Sequence, residues 1–249
     1  MSSTILITGA SSGLGAEMAR QFAGKGYDLA LCARRTDRLE ALRDEILAAD
    51  PDRRVEVRAL DVTDYDAVFE VFRAFREDFG RIDRFVINAG LGKGAPLGTG
   101  KFYANKQTAE TNFVGALAQT EAAAEILRDQ GDGQLVMVSS VSAMRGMPRT
   151  LTTYAATKAG AAHLAEGLRA DLAGTRIKVT VLYPGYIESE MTARSESNKR
   201  LIVSTEKGVR EMVELIEKEK PSALVPQWPW TAVGTALKHL PLPLARKLM

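Results

Sequence analysis

A doubly wound, three-layer α/β sandwich around a mostly parallel, seven-stranded sheet is the architecture this sequence predicts. Three observations lead there. Short apolar, β-branched runs alternate with segments of helical periodicity, joined by short connections. The first run passes straight into a glycine-rich turn, Gly9-Ala10-Ser11-Ser12-Gly13-Leu14-Gly15, and from there into a helix pattern. The chain has 249 residues, an ordinary length for one α/β domain with a large core.

The elements follow in order. Residues 3–8 read as a buried strand that breaks at the glycine turn. Leu14, Met18 and Phe22 with neighbouring alanines give the next helix, which ends near residues 24–26. Residues 28–33 are a second strand, and 36–48 an amphipathic helix carrying Leu39, Leu42, Ile46 and Leu47. A strand over 55–60, a helix over 65–79 and a strand over 84–88 come next, then the long irregular loop 90–100. One long helix is expected over 102–130, a strand over 135–139, a helix over 151–172 and a strand over 178–183. Residues 205–219 give a charged amphipathic helix and 222–226 a seventh strand. Strands alternating with helices imply a parallel sheet covered on both faces.

Composition narrows the function. Hydrophobic residues make up 45% and charged residues 26%, a globular balance. A net charge of +2, with acids and bases interspersed, gives no case for nucleic-acid binding. Cys32 is the one cysteine, so neither a disulfide framework nor a cysteine-rich metal site is expected, and His163 and His239 have no partners at metal spacing. The start of the chain lacks the pattern of a signal peptide, and no uncharged apolar run is long enough to span a bilayer. A cytoplasmic protein forming one domain over residues 1–249 is the expectation.

The chemistry-bearing residues fall where strands end. Glycines 9, 13 and 15 at a strand–turn–helix junction make an anion site: backbone N–H groups and the helix dipole face a ligand that missing Cβ atoms allow to approach. The spacing differs from Gly-x-Gly-x-x-Gly, and a tight connection alone would also need glycine. The second strand ends Cys32-Ala33-Arg34-Arg35, with no acid to hold a ribose 2′-hydroxyl; Arg34 can offer a phosphate two donors and Arg35 more charge. NADP(H) is therefore expected in preference to NAD(H). Asp61-Val62 closes the third strand, where a helix cap is the plainer reading. Asn88-Ala89-Gly90 closes the fourth, with small residues against which a flat ligand could lie. Asn112 is a poor helix former inside a helix pattern. Ser139-Ser140 follow the fifth strand. Tyr154 and Lys158 stand four apart on a helix and so share a face, where a cation could favour the phenolate. Taken alone, such a pair usually marks an exposed surface contact.

Together, Thr8-Gly9-x-x-x-Gly13-x-Gly15, Asp61, Asn88-Ala89-Gly90, Asn112, Ser140, Tyr154-x-x-x-Lys158 and Pro184-Gly185 resemble the short-chain dehydrogenase/reductase family in its single-domain form. The resemblance covers residues 4–192 and implies a Rossmann-type fold. It further implies hydride transfer between nicotinamide and a ketone or secondary alcohol. By that resemblance Tyr154 is the general acid or base, and Ser140 holds the substrate oxygen. Lys158 lowers the Tyr154 pKa and bonds the nicotinamide ribose. Asn112 interrupts its helix and holds a water of a proton relay. Asp61 contacts adenine. The cofactor set is then Gly9, Ser11, Ser12, Gly13, Leu14, Gly15, Arg34, Arg35, Asp61, Val62, Asn88, Ala89, Gly90, Tyr154, Lys158, Pro184, Gly185, Ile187 and Ser189, with no metal.

Two departures stand out. Ser189 takes a position where the family often has threonine, and the Ser140-to-Tyr154 segment is slightly longer than common, which keeps Ser142 as a second candidate. The resemblance makes residues 186–204 a substrate-covering segment, with Met191, Arg194 and Arg200 as contacts and Glu188 and Glu190 solvated. Loop 91–100 would form another wall, with Lys93 near the entrance. The resemblance also suggests that the helices over 102–130 and 151–172 build the face of a homodimer or homotetramer. The apolar, basic tail 226–249, with Trp228-Pro229-Trp230 and Lys238, Arg246 and Lys247, either packs on the protein's own body or a partner subunit, or touches a membrane surface. An NAD-linked enzyme and a dinucleotide-binding regulator on the same scaffold are the alternatives, since fold does not fix function.

Overall fold

The structure, a computed structural model, describes residues 3–190 and 202–245. Met191, Arg194, Arg200, Arg246 and Lys247 lie outside the described residues.

Among the described residues seven strands are seen: β1 (Thr4–Thr8), β2 (Asp28–Ala33), β3 (Val55–Ala59), β4 (Arg84–Ile87), β5 (Asp132–Val138), β6 (Arg176–Pro184) and β7 (Ser222–Val225). They form one sheet in the order β3-β2-β1-β4-β5-β6-β7, and each neighbouring pair is parallel. β1 is buried along its whole length, as a central strand covered on both faces must be. Its alternation sets the layers. Ile5 and Ile7 join one core with Met18, Phe22, Leu39, Met212 and Val213. Leu6 faces the other, with Phe72, Phe75, Phe85, Leu127 and Ala161.

The first core lies under α1 (Gly13–Ala23), α2 (Thr36–Ala49) and α7 (Thr205–Glu217). The second lies under α3 (Tyr65–Phe79), α5 (Gly115–Gln130) and α6 (Thr152–Asp171). Local signals set several ends. The Asp64 carboxylate caps α3 by accepting from the Ala67 N–H at 3.2 Å, and Gly80, at φ 72°, closes it. Asp61 does not cap α3; its Oδ1 instead accepts from the Thr63 N–H at 3.0 Å and the Thr63 hydroxyl at 2.8 Å.

Three elements differ from expectation. The helix expected over 102–130 is α4 (Phe102–Ala109), a π-helical turn over Glu110–Val114, and α5. β5 begins at Asp132, three residues before the apolar run, because pairing with β6 continues to Arg176 through Gly133. The described part of the tail, residues 226–245, holds two helices, α8 (Gln227–His239) and α9 (Leu242–Ala245). Pro229 sits in the first turn of α8, where proline is tolerated. Among the described residues no helix is long and apolar enough to cross a membrane.

Candidate active site

With the strands parallel, their carboxyl ends share one edge, and the order reverses between β1 and β4, opening a crevice there. The glycine turn lies at that point. Gly9 and Gly13 have φ of +66° and +54°, which side chains rarely adopt. A Cβ on Gly15 would run into the Gly9 carbonyl and come 2.8 Å from Asn88 Nδ2. Asn88 Nδ2 donates to the Thr8 carbonyl at 2.9 Å, while Thr8 Oγ1 accepts from the Asn88 and Ala89 N–H groups at 3.0 and 3.1 Å. These bonds join the ends of β1 and β4 beneath the turn. Ser12 begins α1 without a side-chain cap bond, so the helix N-terminus keeps its donors for a ligand. Leu14 packs against the core.

The two arginines part company. Arg34 turns toward Asp61, with Nη1 to Oδ2 at 3.9 Å. Arg35 turns to the glycine turn, donating from Nε to Ser11 Oγ at 3.3 Å and from Nη2 to Ser12 Oγ at 2.6 Å. Arg38, one helical turn on, joins Arg35 on the Glu190 carboxylate. Sequence reasoning missed Arg38; its spacing of three from Arg35 on a helix was the available signal. Glu190 is exposed, as expected, and also bridges the pair. Val62 is buried and packs on Gly115 of α5.

Across the crevice, four expected residues come together. Asn112 lies on the π turn, so its helix is interrupted. Its amide bonds Leu91 both ways: Oδ1 accepts from the Leu91 N–H at 2.7 Å and Nδ2 donates to the Leu91 carbonyl at 2.9 Å. A Cβ on Gly90 would lie 3.2 Å from Lys158 Nζ and 3.3 Å from Asn112 Oδ1, so both polar ends face bare backbone there. Ser139 Oγ donates to the Lys158 carbonyl at 2.8 Å and holds α6 against the end of β5.

Ser140 opens a short 3₁₀ turn over Val141–Met144. Its Oγ accepts from the Ser142 N–H at 3.2 Å and from the Ser142 hydroxyl at 2.9 Å. The Ser140 hydroxyl also faces Tyr154, close enough to lower the phenol's pKa. Ser142 thus supports Ser140, and Ser140 meets the phenol.

Burial raises the Tyr154 pKa above its ordinary value, and the Ser140 hydroxyl partly offsets this. Lys158 is buried, its Nζ donates to the Val138 carbonyl at 2.9 Å, and desolvation brings its own pKa down to about 8.

The walls are also visible. Loop 91–100 is held by the Asn105 amide, which exchanges hydrogen bonds with Ala95 at 3.0 and 3.1 Å, and by the Thr108 hydroxyl on the Lys93 carbonyl. Pro184 ends β6, and the Trp230 indole covers Gly185, leaving no room for a Cβ. Tyr186 meets Trp230 edge to face at 5.0 Å between centroids. The Ile187 side chain is buried against α7, so any contact with a ligand falls to its backbone. Ser189 lies over the glycine turn, its Cβ 3.6 Å from where a Gly13 Cβ would be. A separate cleft of about 400 Å³, lined by Leu97, Phe102, Ala109 and Thr153, includes neither Ser140 nor Tyr154. Among the described residues there is no cluster of three or more histidines, cysteines or acids able to hold a metal.

Comparison with known proteins decides the family. The short chain dehydrogenase family matches residues 3–200. The chain belongs to that family. It is an NAD(P)-dependent oxidoreductase with a Rossmann-type fold. An uncharacterized oxidoreductase of Mycobacterium tuberculosis is 52% identical over 243 residues, covering 98% of this chain and 96% of that protein. A sulfoacetaldehyde reductase of Chromohalobacter salexigens is 37% identical over 194 residues, covering 77% of this chain and 75% of its own. Among solved structures, a short-chain dehydrogenase from Sphingobium yanoikuyae in complex with NADPH aligns with a TM-score of 0.81 at 28% identity, covering 96% of this chain and 94% of that one.

Proposed function

We propose that this short-chain dehydrogenase is an NADP(H)-dependent enzyme interconverting a ketone and a secondary alcohol on an apolar substrate, with residues 1–249 as one cytoplasmic domain. The observation that carries the reading is the meeting of Ser140, Tyr154, Lys158 and Asn112 at the sheet edge that also holds the glycine turn. The residues fit a dinucleotide: the turn has no space for Cβ atoms at Gly9 and Gly15, and the start of α1 has uncapped donors. Gly9, Gly13, Gly15 and Ser12 would hold the pyrophosphate. Arg34 and Arg35, the latter beside Ser11 and Ser12, would hold a 2′-phosphate with Arg38 adding charge, and Asp61 would face adenine. Asn88, Ala89, Gly90, Pro184, Gly185 and Ser189 would line the nicotinamide half. The cofactor supplies the hydride.

This chain's own residues handle the proton. Tyr154 would exchange it with the substrate oxygen, and Ser140 would orient that oxygen. Its raised pKa keeps the phenol protonated at neutral pH, the form that reduction of a ketone requires. Lys158 would bond the ribose and carry charge below its pKa of about 8, with Asn112 extending the proton path.

An apolar substrate is supported by the cluster of Val141, Trp230 and Leu237, with Met144, Met147 and Tyr186 against it, beside the Ser140 turn. Segment 186–204 and loop 91–100 would enclose it. Assembly as a homodimer or homotetramer through α4–α6 belongs to the same proposal. So does a membrane-surface contact at the tail, supported by the exposed Trp228, Leu242 and Leu244.

A panel of ketones and alcohols assayed with NADPH and NADH, beside Tyr154→Phe, tests the reading. Loss of about 10²–10⁴ in kcat/KM is expected for the variant. Turnover that survives the change intact refutes the proton role, and tight NADPH binding with no turnover on any carbonyl favours a regulator.

A further inference from the structure

The arginine pair beside the glycine turn already holds an anion. Glu190 Oε1 accepts from Arg38 Nη1 at 2.6 Å, and Glu190 Oε2 accepts from Arg35 Nη1 at 3.2 Å. One carboxylate therefore bridges two guanidiniums, one oxygen to each. The other donors of Arg35 are fixed on Ser11 and Ser12, so its Nη1 is aimed by the glycine turn itself. Glu190 arrives from far along the chain, on the segment after Pro184-Gly185 that lays Ser189 over Gly13. The pair pulls the Glu190 carboxyl below its ordinary range, Arg38 most and Arg35 next.

We infer that Glu190 is an internal competitor for the site that would take the 2′-phosphate of NADP(H), and so tunes the choice between the two cofactors. The inference rests on the cofactor reading above. A phosphate monoester carries close to two charges and three acceptor oxygens, against one charge and two oxygens for the carboxylate, so it can displace Glu190 from the same donors. NADH has no group to place there and leaves Glu190 where it is. All three side chains are roughly half exposed, with side-chain exposures of 41%, 46% and 56% for Arg35, Arg38 and Glu190, so the competition is modest and weakens with salt.

The test is cofactor binding by the full chain, read by nucleotide fluorescence at low ionic strength, for wild type, Glu190→Gln, Arg35→Ala and Arg38→Ala, with thermal midpoints as a folding control. Glu190→Gln is expected to tighten NADPH about three- to tenfold and to change NADH by less than about twofold, with the gain fading at high salt. Arg35→Ala and Arg38→Ala are expected to weaken NADPH selectively. If they do so but Glu190→Gln leaves NADPH unchanged or weaker, the competition is overturned and the cofactor reading survives. If Glu190→Gln tightens both nucleotides equally, Glu190 acts on their shared pyrophosphate and the inference fails. If neither Arg35 nor Arg38 matters for NADPH, the inference fails, and Arg34→Ala in the same assay decides whether the cofactor reading falls with it.

Discussion

Replacing Lys158 by methionine separates what its ammonium gives to chemistry from what its burial costs the fold. The lysine is 6% exposed, and desolvation lowers its pKa from 10.5 to about 8. A tenfold change in proton affinity corresponds to about 1.4 kcal/mol, so holding this charge inside the cofactor-free protein costs about 3 kcal/mol wherever both folded and unfolded chains are protonated. The sign follows from proton counting. Below pH 8 both states carry the proton and the penalty is complete. Between pH 8 and 10.5 the unfolded chain still binds it while the folded chain does not, so stability rises with pH and the penalty fades. Methionine keeps the packing volume but leaves the Val138 carbonyl without its donor, a loss of about 1 kcal/mol. Lys158→Met is therefore expected to be more stable than wild type by about 1–3 kcal/mol at pH 7 and to lose that advantage by pH 10.5, while turnover collapses. Urea denaturation across this range, at fixed protein concentration, measures it. A variant less stable than wild type at pH 7, with a gap that does not change with pH, would show that the lost hydrogen bond and packing outweigh the cost of the buried charge.

Two further outcomes follow from the same geometry. Ser140→Ala removes the hydroxyl facing Tyr154 and is expected to lower kcat/KM by about 10²-fold or more, whereas Ser142→Ala should cost less than about tenfold because it only supports Ser140; steady-state kinetics that reverse this order would make Ser142 the substrate-facing hydroxyl. Trp230→Ala opens a cavity under Gly185 and should lose about 3–5 kcal/mol in denaturant unfolding. It should also raise KM for apolar ketones more than it lowers kcat; an unchanged KM would separate α8 from the substrate wall.

Much of this was legible in the sequence because it depends on local rules. The strand runs, the glycines at 9, 13 and 15 and the Tyr154–Lys158 spacing each declare themselves within one element, and a parallel sheet then gathers them on one edge. What the sequence did not show depends on which distant residues meet. Thr8 reads as the end of a strand, yet its hydroxyl receives two N–H groups from residues some 80 positions away. Arg38 reads as an ordinary surface residue until Glu190 is brought across the turn. The π turn at Asn112 is invisible to helical periodicity, because one residue added to a single turn barely disturbs the pattern. The tail was ambiguous for the same reason: Trp230 is buried and Trp228 exposed on neighbouring positions, and only the Gly185 surface distinguishes them.

The double bond between the Asn112 amide and the Leu91 backbone makes two parts of the molecule one mechanical piece. Loop 91–100 is tied at its root to the π turn, and the Asn112 oxygen on that turn and the Lys158 ammonium both face Gly90. A change at the root of the loop therefore reaches the residues proposed to handle the proton. Substitutions in the loop are then expected to change kcat as well as KM.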